Sequence, residues 1–161
     1  RICAGAGDAV ELSVVCPREA DTMAVAAGLA AEVRPGDVVV LKGGLGAGKT
    51  RFVGGLAAGL GVEEQVVSPT FIIMREYRSG FLPIVHVDVY RLGSINEFDD
   101  LDVYERAADG VLGIEWGDAV LAALPSDVLM VEFAIGPDQE RTLRFVPSGS
   151  WRDRDLHRVV E

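Results

Sequence analysis

Eight consecutive residues, Gly43-Gly44-Leu45-Gly46-Ala47-Gly48-Lys49-Thr50, fit the pattern G-x-x-x-x-G-K-[ST] at every defined position. Residues of these types at this spacing do one kind of chemistry. Glycines let the backbone curl so that successive N–H groups face phosphate oxygens, a lysine reaches the β and γ oxygens, and a threonine hydroxyl ligates magnesium. A helix opening directly after the loop adds the positive end of its dipole. A glycine-rich turn could carry Lys and Thr by coincidence, so the flanking sequence decides. Val38–Leu41 is a continuous apolar run rich in β-branched residues, as a strand buried on both faces requires. Beyond the loop a helix is expected from about Lys49 to Leu60, with Phe52, Leu56 and Leu60 four residues apart and Gly61 as its stop. Strand, loop and helix follow in the required order, and the reading is a nucleoside triphosphate held with magnesium.

Such a site also needs an acid at the end of a neighbouring strand. Two sequences supply one: Val111-Leu112-Gly113-Ile114 leads into Glu115, and Ile84-Val85-His86-Val87 leads into Asp88. Glu115 is the better magnesium candidate because the apolar run ends directly on it, and Thr50 is its partner metal ligand. Asp88 is a candidate to orient attacking water or to sense the γ-phosphate. Either acid could instead be solvated or paired with an arginine such as Arg91. Ser68-Pro69-Thr70 lies between a helix and a strand, where a loop hydroxyl can reach metal or γ-phosphate in a nucleotide switch. An ordinary Ser-Pro turn explains the same residues equally well.

Further elements must position these groups. Val10–Val15 reads as a short strand and Pro17–Val33 as a helix. Additional strands are expected at Phe71–Tyr77, Ile84–Tyr90, Val111–Glu115, Val128–Ala134 and Thr142–Val146, with a short helix near Asp118–Leu124 and weakly helical sequence near Asn96–Ala108. About six residues separate the Phe71–Tyr77 and Ile84–Tyr90 runs, too few for a parallel crossover, so that pair is expected to be antiparallel. The fold class is α/β: a three-layer arrangement like the P-loop NTPases, with a mixed, mostly parallel sheet that includes an antiparallel pair. The chain of 161 residues has the length of one domain, expected over residues 1–150, and the charged, aperiodic stretch 151–161 reads as a flexible tail.

Composition narrows the class of partner. A formal charge of −10 disfavours extended contact with a nucleic-acid backbone, because that affinity comes from Lys and Arg neutralising phosphates. A protein partner fits better. Glu97, Asp99, Asp100, Asp102, Glu105 and Asp109 against Arg106 place half of the net charge within residues 96–109. That segment is either a solvated face or a surface for a basic partner, while Phe98, Leu101 and Tyr104 at helical spacing could pack on the sheet. No apolar run approaches the roughly 20 residues of a membrane span, and the amino end carries no export-type pattern. Cys3 and Cys16 lack the spacing of a zinc site or disulfide scaffold, so reduced thiols in a cytoplasmic protein are expected.

Taken together, residues 44–50 (Gly-Leu-Gly-Ala-Gly-Lys-Thr), 68–71 (Ser-Pro-Thr-Phe), 86–92 (His-Val-Asp-Val-Tyr-Arg-Leu) and 114–116 (Ile-Glu-Trp), in this order, resemble the TsaE family of bacterial P-loop ATPases. The resemblance runs from about Glu11 to Val146. It implies ATP and Mg2+ as cofactors, and a role in making the threonylcarbamoyladenosine beside the anticodon of tRNA. There a TsaD–TsaB pair transfers the threonylcarbamoyl group, and the TsaE-like subunit binds that pair and hydrolyses ATP for repeated turnover. By position it assigns phosphate binding to Gly43–Thr50, catalysis to Lys49, Asp88 and the switch-like Thr70, and the metal to Thr50 and Glu115. Trp116 matches an aromatic residue beside the site. Two positions depart from the family's usual pattern: Gly44, where Asp is common, and Arg51, where a second Thr is common. Arg51 would lie at the α-phosphate or base side of the nucleotide. Two other uses of the loop are disfavoured: a small-molecule kinase needs an Arg-rich lid, and a GTPase switch needs Asn-Lys-x-Asp. The chain has neither.

Overall fold

Residues 2–4, 11–69, 73–89, 92, 95–115 and 117–160 are described by the structure, a computed structural model. Its centre is built from the apolar runs that lead into the candidate site. Strands β3 (Asp37–Lys42), β5 (Ile84–Asp88) and β6 (Val111–Glu115) are buried along almost their whole lengths. Runs of this composition fit only where both sheet faces are covered, and helices cover them. On one face lie α1 (Glu19–Leu29) and α2 (Lys49–Gly59), whose Val25, Leu29, Phe52 and Leu56 pack on Val39, Leu41, Ile84 and Val111. On the other face Phe98 of α3 (Ile95–Asp99) and Val103 of α4 (Val103–Arg106) pack on Val38, Val40, Val85 and Ile114. The acidic stretch therefore turns apolar side chains inward: Phe98 is fully buried and Tyr104 meets it edge-on, with ring centroids 6.0 Å apart. A 3-10 segment, Gly117–Ala123, follows β6.

Among the described residues the sheet has eight strands, in the order β1-β2-β8-β7-β3-β6-β5-β4. Here β1 is Ile2–Ala4, β2 Leu12–Cys16, β4 Met74–Tyr77, β7 Leu129–Ile135 and β8 Arg141–Pro147. The four central strands β7, β3, β6 and β5 are mutually parallel. The expected antiparallel pair is β4 with β5, in the register Tyr77↔Ile84. Antiparallel pairing also closes the opposite side of the sheet through β7·β8, β8·β2 and β2·β1, so five of the eight strands run one way. The tight connection between Ile135 and Arg141 leaves no room for a crossover and forces that direction. Residues 71–72 and Tyr90, which the sequence placed in flanking strands, lie outside the described residues.

Helices α1 and α2 cross unusually close. A Cβ added at Gly55 would stand 2.3 Å from the Met23 carbonyl oxygen, and one at Gly59 would stand 2.6 Å from that of Ala27. Glycine four residues apart on α2 is what lets α1 reach it. Among the described residues no helix is long and apolar enough to cross a membrane.

The expected flexible tail at 151–161 is corrected. Its described part folds into two 3-10 segments, Gly149–Asp153 and Leu156–Val160, that lie against the core. Trp151 is fully buried, and Leu156 and Val159 join the cluster around α1. Arg154 closes the arrangement: its guanidinium makes a buried two-point ion pair with Asp37, with Nη2 donating to Oδ1 at 2.8 Å, and stacks 3.9 Å over the Trp151 ring. Segments of 3-10 turn carry no long amphipathic period, so apolar residues that bury singly look scattered in sequence.

Candidate functional site

The glycine loop leaves β3 at Lys42 and returns as the first turn of α2. Backbone conformation explains two of its glycines: Gly46 has φ of 76° and Gly48 has φ of 101°, a region that residues with a Cβ avoid. Gly48 occupies the N-cap of α2, and its carbonyl accepts from Phe52 N–H at 2.9 Å. Residues 45–51 line one side of a cavity of about 230 Å³, and Ser68, Asp88 and Glu115 line the other. This cavity opens at the carboxyl ends of the parallel strands, where open α/β sheets bind ligands.

Sheet register brings the acids to the loop. Glu115 pairs with Leu41 on one side and with Asp88 on the other, so both carboxylates end their strands at the level where β3 turns into the loop. Both are almost completely buried, as is Lys49. The Lys49 ammonium donates to the carbonyl oxygens of Gly43 at 2.7 Å and Gly44 at 2.9 Å, which curls its side chain back over the loop. Thr50 Oγ1 donates to Glu115 Oε1 at 2.8 Å, across 65 positions of sequence. The same oxygen receives His86 Nε2 at 2.8 Å. A carboxylate only accepts, so His86 must carry a proton on Nε2. Its other ring nitrogen, Nδ1, is buried without a hydrogen-bond partner.

Burial alone would push the Glu115 carboxyl up. The hydrogen bond and charge of His86, the Thr50 hydroxyl and the Lys49 charge outweigh it, and the group lies below the ordinary value of 4.5. Glu115 is thus a carboxylate at neutral pH, facing the loop with oxygen atoms. Thr50 and Glu115 together offer hard oxygen donors, which suit magnesium. That ion keeps several waters and takes few protein ligands.

Of the residues singled out in the sequence, the structure gathers Leu45, Gly46, Ala47, Gly48, Lys49, Thr50, Ser68, Asp88 and Glu115 around one cavity, with Gly43 and Gly44 held to it through Lys49. Leu45 sits at the loop's exposed tip. Arg51 lies at the rim and its Nε donates to Glu19 Oε1 at 3.0 Å, tying α2 to the start of α1. Thr70, Arg91 and Trp116 lie outside the described residues. Sequence reasoning gave no role to His86, although a signal was present: it stands two residues before Asp88 in a buried strand and so shares that acid's face. Arg141 was also missed, having no local motif.

Strand, loop, helix and strand-end acids in a three-layer sheet define the P-loop NTPase-like class of α/β fold. Within that class, the family model described as "Threonylcarbamoyl adenosine biosynthesis protein TsaE" matches residues 16–143. The chain is 42% identical over 130 residues to the tRNA threonylcarbamoyladenosine biosynthesis protein TsaE of Bacillus subtilis, covering 81% of this chain and 82% of that protein. It is 41% identical over 136 residues to the TsaE of Streptomyces coelicolor, covering 80% of this chain and 92% of the relative. A crystal structure of Bacillus subtilis YdiB superposes with a TM-score of 0.76 at 34% identity, covering 92% of this chain and 93% of that one. The chain belongs to the TsaE family.

Proposed function

We propose that this chain is the ATP-binding, magnesium-dependent ATPase subunit of a tRNA-modifying system. In this reading it sustains repeated threonylcarbamoyl transfer to the adenosine beside the anticodon by binding a TsaD–TsaB-like complex in the cytoplasm. The observation that carries the reading is the Thr50 hydroxyl set 2.8 Å from the Glu115 carboxylate at the mouth of the glycine loop. Family membership and the biosynthetic role named for its relatives support the pathway. A protein partner, rather than RNA itself, suits a chain of net charge −10.

Each residue has a part. The loop N–H groups and the α2 dipole receive the phosphates. Lys49, now bonded to the Gly43 and Gly44 carbonyls, would exchange those contacts for β and γ oxygens. Thr50 and Glu115 would hold magnesium and its water, with His86 fixing the carboxylate's orientation. Magnesium when bound neutralises the charge that develops on the phosphoryl oxygens. Asp88, beside Glu115 in register, would orient the attacking water.

Reconstituted tRNA modification under multiple-turnover conditions tests the proposal. Lys49→Ala, Asp88→Ala and Glu115→Ala should each leave the first turnover intact and stop those that follow. Unimpaired repeated turnover by Lys49→Ala would remove the reading.

A further inference from the structure

We infer that Arg141, on the antiparallel side of the sheet, is a positioning residue for the phosphate loop; the inference rests on the nucleotide-binding reading of that loop. Arg141 opens β8, and its guanidinium reaches across to the loop's outer turn. Nη2 donates to the Gly46 carbonyl at 3.1 Å and Nε donates to the Ala47 carbonyl at 3.2 Å. Nη1 donates to the Gln139 carbonyl, which anchors the guanidinium to its own hairpin.

These two carbonyls belong to consecutive peptide groups of the loop. In a trans peptide the C=O and N–H point in opposite directions, so holding the carbonyls of Gly46 and Ala47 toward Arg141 turns the N–H groups of Ala47 and Gly48 away from it. The Ala47 N–H indeed donates back across the turn to the Gly44 carbonyl at 3.2 Å. Lys49 ties down the start of the loop through the Gly43 and Gly44 carbonyls, but few side chains pack on the turn itself. A Cβ built at Gly44, Gly46 or Gly48 would find no atom within 4 Å, and Leu45 is 91% exposed. Packing reaches the turn through the buried Ala47 side chain. Glycine carries a large conformational entropy, and three glycines in an unpacked turn would sample many peptide orientations. Arg141 selects one orientation of these two peptide groups, with their N–H groups turned from its guanidinium, and its contacts span 94 and 95 positions of sequence.

A guanidinium is suited to this task and an ammonium is not. Nε and Nη2 present two N–H groups in a rigid fork that matches two adjacent carbonyls, whereas a lysine is a single compact charge. The charge also lies near the expected phosphates, so the two contributions must be separated by experiment. Arg141→Ala removes fork and charge; Arg141→Lys restores charge alone.

The experiment measures the affinity of the full chain for Mg-ATP, the thermal midpoint, and amide hydrogen exchange at Ala47 without nucleotide. Loss of two hydrogen bonds should weaken ATP binding by roughly tenfold in Arg141→Ala, and Arg141→Lys should recover little of it. The thermal midpoint should stay within about 2 °C, because the contacts lie at an exposed rim. Ala47 exchange should quicken in both variants while central-strand amides are unchanged. Unchanged Ala47 exchange in nucleotide-free Arg141→Ala would overturn the inference, as would full recovery of affinity by Arg141→Lys. If the unmodified chain bound no Mg-ATP while Ala47 exchange still responded to Arg141→Ala, the pinning would stand and the ATPase reading would fall.

Discussion

Replacing His86 with leucine should cost stability in a way that depends on pH, and the structure fixes the sign. His86 is fully buried and donates to a carboxylate that is itself buried, at 2.8 Å. Leucine keeps a comparable apolar volume and removes the donor, so the loss is that of one hydrogen bond to a charged group, about 1.5–3 kcal/mol. For a chain of this size that lowers the thermal midpoint by roughly 3–12 °C. His86 is among the groups that hold the Glu115 carboxyl below 4.5 against burial, so without it the carboxyl titrates higher. A depressed folded-state value contributes stability above the unfolded value, and that stability is lost as pH falls through the folded value. The gap between the original chain and His86→Leu should therefore be full at pH 7 and close as the solution is taken below 4.5, the ordinary value for this carboxyl. Urea unfolding at a series of pH values measures it, and a double-mutant cycle with Glu115→Gln isolates the pair. In the Glu115→Gln background the leucine substitution should cost clearly less. An equal cost with and without the Glu115 charge, or a penalty that persists unchanged into acid, would show that His86 contributes packing alone.

Three further outcomes follow from the same geometry. His86→Leu should also lower magnesium-dependent ATP hydrolysis by about 10–100-fold through disordered Glu115, with ATP affinity in the absence of metal unchanged, as isothermal titration can show. Arg154→Met should destabilise the fold by about 3–5 kcal/mol, because it strands Asp37 as a buried charge at the start of β3. Arg154→Met together with Asp37→Asn should recover part of that loss in denaturant unfolding. Gly55→Ala places a methyl 2.3 Å from the Met23 carbonyl oxygen, so α1 and α2 must separate, and a midpoint unchanged by this substitution would count against the close crossing.

What the sequence discloses and what it hides follow the range of the interactions. The loop, β3 and α2 are legible because their signals are local: glycines at fixed offsets, a β-branched run and a four-residue apolar repeat. Glu115 and Asp88 are legible because apolar strands lead straight into them. The role of His86 was not, since its partner depends on the alignment of β5 with β6, which no local pattern specifies. Arg141 is more remote still, reaching the loop from the far side of the sheet across 94 residues. Arg154 and Trp151 were hidden for a different reason: in 3-10 turns, burial falls on isolated residues and mimics a solvated tail.

Steady-state phosphate release from Mg-ATP, with the chain alone and with a TsaD–TsaB pair added, tests the central claim most directly. The chain alone should hydrolyse ATP slowly, the pair should raise the rate severalfold or more, and Lys49→Ala should abolish the increment. Equal rates with and without the pair, or an increment that survives Lys49→Ala, would contradict it.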